Sequence, residues 1–160
     1  MKLNNDKMAQ KNKIKALKSV KITQKNRIFV YTKTKKNMKT AVIGTRTFDN
    51  YQALCETLGN LANTPTEIIS GGATGADALA ERYAKDNHLP LVIFRANWEK
   101  HGKAAGPVRN KIIIENCDQL VAFWDGESKG TNHTIKIART KGKPTKVLNY
   151  GQTQQTALFG

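Results

Sequence analysis

The chain has 160 residues, with 27 Lys or Arg against 12 Asp or Glu, for a formal net charge of +15. That length supports one domain with a proper core. It contains no apolar run of about 18 residues that would cross a membrane and opens on no signal-peptide core of about 7–15 apolar residues, so no membrane partner is expected. Cys55 and Cys117 lie far apart and form no CxxC pair; they read as reduced structural thiols, and the expected location is the cytoplasm.

The charge is unevenly spread. Residues 1–39 hold 12 Lys, Arg27 and one acid, Asp6, for a net of +12, whereas residues 40–160 hold 14 basic and 11 acidic side chains, for a net of +3. Residues 1–38 therefore form a basic N-terminal arm. Its apolar residues Leu3, Ile14, Leu17 and Val20 are too sparse to offset the entropy of ordering, which predicts an arm that is mostly disordered. Ile28–Tyr31 is a short apolar island that either pairs as a strand or stays free. Such an arm suits the phosphates of nucleic acid. With only Phe29 and Tyr31 as aromatics and no arginine cluster, base stacking or sequence readout by the arm is not supported. Met38, just before the first convincing strand, is a second candidate start of translation; in that reading the arm carries no function.

From Thr40 the pattern is regular. Thr40–Ile43 reads as a buried strand, and Gly44-Thr45-Arg46 as a turn. Asp49 or Asn50 caps a helix to about Leu61. Glu67–Ser70 is the second strand, and a helix after Gly75 runs to about Asn87, with Ala76, Leu79, Ala80, Tyr83 and Ala84 on one face. Leu91–Phe94 is the third strand and residues 95–105 a polar loop. Pro107 fits the first turn of a helix to about Cys117. Gln119–Phe123 is the fourth strand, Gly130–Thr140 a helix stopped by Gly142, and Thr145–Leu148 the last strand. Strands alternating with helices predict an α/β fold: a Rossmann-like three-layer sandwich around a five-stranded, mainly parallel sheet over residues 39–150. Residues 151–160 read as a flexible tail.

Ligands of such sheets bind beyond the carboxyl ends of the strands. There the sequence delivers Gly44, Thr45 and Arg46; Ser70, Gly71, Gly72, Thr74, Gly75 and Asp77; Arg109 and Asn110; and Gly130 with Thr131. Gly71 and Gly72 suit a positive φ and close approach to the backbone. Thr74 or Gly75 opens a helix whose first N–H groups and dipole favour an anion; the plain alternative is a tight strand-to-helix turn. Arg46 is placed either to grip a phosphate or to make a surface salt bridge. Arg109 sits in a helix's first turn, where a cation opposes the dipole; its anion is either a ligand phosphate or an internal carboxylate such as Asp77. Of the aromatics near this edge, Trp98, Trp124 and Phe123 read as packing residues, with Trp124 the best candidate to cover a ring.

Other chemistries are not supported. The first turn lacks G-x-G-x-x-G, Gly142-Lys143-Pro144 is not a Walker A loop, and Ser70 lies in no G-x-S-x-G elbow. His88, His101 and His133 lack metal-ligand spacing, so no metal and no certain cofactor is assigned.

Four motifs in order carry a resemblance over residues 39–148: Val42-Ile43-Gly44-Thr45-Arg46-Thr47-Phe48, Ser70-Gly71-Gly72-Ala73-Thr74-Gly75-Ala76-Asp77, Gly106-Pro107-Val108-Arg109-Asn110 and Gly130-Thr131. The chain resembles the SLOG superfamily, and within it the small proteins related to the YspA and YpsA types. The resemblance implies a Rossmann-like fold and a nucleotide or nucleotide-derived ligand, with a sensor or signalling role in keeping. It leaves a homo-oligomer open. Two relatives imply rival functions. The DNA-processing protein A family implies single-stranded DNA binding. The cytokinin-activating phosphoribohydrolases, with P-G-G-x-G-T-x-x-E, imply cleavage of a nucleotide's N-glycosidic bond. Thr134 stands where their glutamate would, which argues against the hydrolase reaction unless Asp77 or Glu81 supplies the carboxylate.

Overall fold

The computed structural model describes residues 19–24, 27–32 and 37–151, in two units that separate between residues 36 and 37. The first unit is an antiparallel hairpin of β1 (Ser19–Gln24) and β2 (Arg27–Thr32), with Ser19 opposite Thr32 and Gln24 opposite Arg27. The island Ile28–Tyr31 lies within β2, so strand pairing is the reading found. The disorder expected for residues 1–18, and the loose tail beyond residue 151, lie outside the described residues.

The second unit follows the expected alternation. It runs β3 (Lys39–Gly44), α1 (Tyr51–Gly59), β4 (Glu67–Ser70), α2 (Ala76–Asp86), β5 (Leu91–Ile93), α3 (Trp98–His101), a 3-10 turn (Gly102–Ala104), α4 (Ala105–Asn116), β6 (Gln119–Trp124), α5 (Lys129–Thr140) and β7 (Thr145–Asn149). The five strands β3 to β7 form one wholly parallel sheet in the order β5-β4-β3-β6-β7. Successive units build outward from β3 in one direction and from β6 in the other. The crevice of a doubly wound fold therefore opens at the carboxyl ends of β3 and β6.

The central strands are largely apolar because both faces are covered. Side chains alternate with period two. Val42, Ile68, Val121 and Phe123 face one layer with Leu54, Leu58, Ala80, Tyr83 and Ala84 of α1 and α2. Ala41, Ile43, Ile69, Leu120 and Ala122 face the other, with Ile113, Ile114, Ile135 and Ala138 of α4 and α5.

Local signals set the helix starts. Asn50, rather than Asp49, caps α1, its side chain accepting the Ala53 N–H at 2.9 Å. The expected polar loop at 95–105 is partly helical. Asn97 caps α3 by accepting the Lys100 N–H at 2.9 Å, and α4 begins at Ala105. Pro107 is still within the first turn of α4, where its missing N–H leaves no intrahelical bond unmade.

Two glycines weld the carboxyl edge. A Cβ at Gly44 would lie 2.4 Å from the Phe123 carbonyl oxygen and 2.7 Å from Ala76 Cβ. Gly75, the cap of α2, has φ of 73°, and a Cβ there would lie 2.3 Å from the Thr45 carbonyl oxygen. Gly75→Ala is expected to lower unfolding free energy by at least about 1–3 kcal/mol, the scale of a strained φ alone. Gly59→Ala, with open space around the new methyl, should be neutral or stabilise by about 0.5 kcal/mol. Urea denaturation of the two variants measures the contrast.

Candidate functional site

Between the carboxyl ends of β3 and β6 lies a cleft of ≈ 500 Å³, within the size range of small-molecule sites. Gly44, Thr45 and Arg46 line it after β3, Ala73 and Asp77 before and within α2, Arg109 and Asn110 on α4, and Lys129, Gly130 and Thr131 on α5. Arg46 and Thr131, distant in sequence, thus share one wall-to-wall space. Ser70, Gly71, Gly72, Thr74 and Gly75 do not line it, and neither does Glu81.

The reason lies in the glycine loop itself, whose amides serve the protein's own side chains. The Gly72 N–H donates to Ser70 Oγ at 3.1 Å, and the Ala73 N–H to Asp77 Oδ2 at 3.2 Å. Ser70 Oγ also lies 3.1 Å from Glu81 Oε1 and 3.3 Å from the Asp77 carbonyl oxygen. Gly72 does take a positive φ, 69°, but a Cβ on it would meet Ile93 and Arg95 rather than the cleft. Gly71 is needed for approach, not for φ: a Cβ there would fall 1.8 Å from Arg109 Nη1.

Arg109 is the pin that closes this loop. Its Nη1 donates to the Gly71 carbonyl oxygen and lies 3.8 Å from Asp77 Oδ2, while its Nε donates to Asn110 Oδ1 at 2.9 Å. The internal carboxylate expected as one possible anion for Arg109 thus lies within ion-pair reach of it. Asp77 is 4% exposed. Burial pushes its carboxyl above the ordinary range, opposed by the Ala73 N–H and then by the Arg109 charge. Burial likewise pulls the Arg109 guanidinium down, the Asp77 charge opposing this and repulsion from Arg46 adding to it. Asn110 orients Arg109.

The rest of the edge is braced in the same manner. Thr45 donates its N–H to the Phe123 carbonyl at 2.9 Å, and its hydroxyl accepts the Asp125 N–H at 3.3 Å. Asp125 accepts the N–H groups of Glu127 and Ser128 at 2.9 and 2.8 Å, which hold its carboxyl below the usual range. Ser128 caps α5, its Oγ lying 3.4 Å from the Thr131 nitrogen and 3.0 Å from Thr131 Oγ1. Thr134 donates its hydroxyl to the Gly130 carbonyl at 2.9 Å.

The cleft also gathers residues to which the sequence assigned no binding role. Trp98, Lys129 and His133 all line it. Lys129 and His133 are four apart on α5 and so share a face; the signal was their spacing from Gly130-Thr131. Trp98 stands directly after the cap Asn97, a helix-start signal within an otherwise polar stretch. Trp124, the expected ring cover, does not line the cleft. Its indole N–H donates to the Ser128 carbonyl at 3.1 Å, and the ring packs against the α4–α5 core. Among the described residues, neither Arg46 nor Lys129 has an ionic partner.

The buried pair makes a stability prediction. Asp77→Ala leaves the Arg109 guanidinium without its counter-charge and should cost about 3 kcal/mol or more. Glu81→Ala, which removes an acceptor for one hydroxyl, should cost about 1 kcal/mol. A double-mutant cycle with Arg109→Ala, read by denaturant unfolding, checks that the larger loss comes from the pair.

Comparison with known proteins fits this architecture. Residues 38–101 match the family described as "YspA, cpYpsA-related SLOG family". The gene 61 protein of Mycobacterium phage D29 is 38% identical over 90 residues, covering 52% of this chain and 70% of that protein. The X-ray structure of DNA processing protein A from Streptococcus pneumoniae superposes with a TM-score of 0.61 at 20% identity, over 76% of this chain and 53% of that one. This chain spans about half of that protein, and the likeness is one of fold. Among the described residues, no helix is long and apolar enough to cross a membrane. With its glycine turn pinned by Arg109 at the head of a β5-β4-β3-β6-β7 sheet, the chain belongs to the SLOG superfamily, on the side of the YspA- and cpYpsA-related family.

Proposed function

We propose that this protein binds a nucleotide or nucleotide-derived ligand in the cleft at the carboxyl edge of the sheet. The observation that carries the reading is the pairing of two cations without an ionic partner among the described residues, Arg46 after β3 and Lys129 at the head of α5, in one cleft whose Arg109 already faces Asp77. An anion between them gains charge-assisted hydrogen bonds and meets the positive end of the α5 dipole. Thr45, Gly130 and Thr131 border the same space. Arg109 and Asn110 act as its floor rather than as a phosphate grip, and the loop from Ser70 to Gly75 acts as the frame. A sensor or signalling domain in the cytoplasm is the role this reading suggests.

An N-glycosidic hydrolase is the weaker reading. The only carboxylate lining the cleft among the described residues is Asp77, and one of its oxygens, Oδ2, faces Arg109 and accepts the Ala73 N–H. Arg46→Ala and Lys129→Ala should each weaken nucleoside monophosphate binding by about 1.5–3 kcal/mol, the scale of a hydrogen bond to a charged group. Isothermal calorimetry measures both, and unchanged affinity in both variants defeats the reading.

A second reading, binding of single-stranded DNA, is favoured by the net +12 of residues 1–39 and by the fold shared with DNA processing protein A. If the arm meets about five phosphates, log K should fall against log salt with a slope of roughly −3.5 to −4.5. A chain starting at Met38 should lose most of that slope. Filter binding of an oligonucleotide at several salt concentrations decides it.

A further inference from the structure

Trp98 is 58% exposed, more than any other large apolar side chain singled out at the surface of the described residues; Leu91, Ile112 and Tyr150 stand at 37%, 38% and 36%. An indole left in water forgoes a large hydrophobic gain, so folding alone does not account for its position. Its backbone is nonetheless firmly placed. Asn97 caps the turn through the Lys100 N–H, the His101 N–H donates to the Asn97 carbonyl at 3.1 Å, and the Gly102 N–H returns to the Trp98 carbonyl. Its Cη2 corner lies near Gly106, at 3.9 Å from where a Cβ would be. The exposed ring lines the same cleft as Arg46, Lys129 and Pro107.

We propose that Trp98 is the platform on which the base of the ligand stacks, so that the cleft selects nucleoside phosphates over sugar phosphates and inorganic phosphate. This rests on the phosphate-binding reading of Arg46 and Lys129 and adds a specificity-determining residue to it. The chemistry is complementary. A flat aromatic surface favours any nucleobase, because every base offers a π face, whereas the two cations fix the phosphate without regard to what it carries. Trp124 does not share this task, since it does not line the cleft, its indole N–H is bound to the Ser128 carbonyl and its ring is partly buried against the core.

The test compares AMP, GMP, CMP and UMP with ribose 5-phosphate by calorimetry on the full chain. At least one of the four nucleotides should bind about 5- to 100-fold more tightly than ribose 5-phosphate. Trp98→Ser should remove that advantage while leaving ribose 5-phosphate affinity unchanged, and Trp98→Tyr should keep most of it. In a Trp124→Phe background, the tightest nucleotide should quench the remaining tryptophan emission. Equal affinity for all five compounds, unchanged by Trp98→Ser, overturns the stacking and leaves the phosphate site standing. A loss of self-association in Trp98→Ser without any change in nucleotide affinity overturns it too, by making Trp98 a contact between copies. Failure of all five to bind overturns the nucleotide reading itself and the platform with it.

Discussion

The carboxyl edge of this domain depends on one buried ion pair. Arg109 reaches from α4 to the Gly71 carbonyl and to Asp77 at the head of α2, tying together two elements that pack on opposite faces of the sheet. A charge taken out of water is tolerated only when its partner and hydrogen bonds are supplied, and each is supplied here. The Ala73 N–H completes Asp77, and Asn110 completes Arg109. Gly71 follows from the same constraint, because no side chain fits where the guanidinium lies.

That arrangement divides labour along the edge. In the loop that most resembles an anion cradle, the Ala73 N–H already donates to the Asp77 carboxylate and the Gly72 N–H to Ser70 Oγ. The loop's geometry is therefore set in advance, which lowers the ordering cost that a ligand would otherwise meet. In the proposed reading, recognition falls to side chains on the rim, which come from both halves of the sheet: Arg46 from the β3 turn, Lys129 and His133 from α5, and Trp98 from the short helix after β5.

Much of this was legible in the sequence. The strands and principal helices follow from hydrophobic periodicity, Asn50 and Pro107 mark helix starts, and the parallel sheet follows from the alternation. The four motifs do gather at one edge. What could not be read was the direction in which the glycine loop spends its hydrogen bonds. Ser70, Gly71, Gly72 and Asp77 look the same in sequence whether or not their polar groups bond to one another, and the reach of Arg109 to the Gly71 carbonyl, from 38 residues away, is not written in the loop itself. Trp98 and Trp124, both near this edge in sequence, are placed differently for a related reason. Trp98 opens α3 and lines the cleft, whereas Trp124 ends β6 and its indole N–H is held by the Ser128 carbonyl. The arm holds too few apolar residues for a packing argument, and its hairpin became apparent only from the pairing of β1 with β2.

The welded glycines have a bearing on how such a domain can diversify. At Gly44 and Gly75, peptide groups of three segments touch with nothing between them, so the outline of the hollow is drawn by main chain. Arg46, Trp98, Lys129 and His133 are exposed and carry none of that framework. The architecture is thus a fixed socket with interchangeable fittings: exchanging those four side chains would retune which guest is welcomed while the mould around it stays as it is.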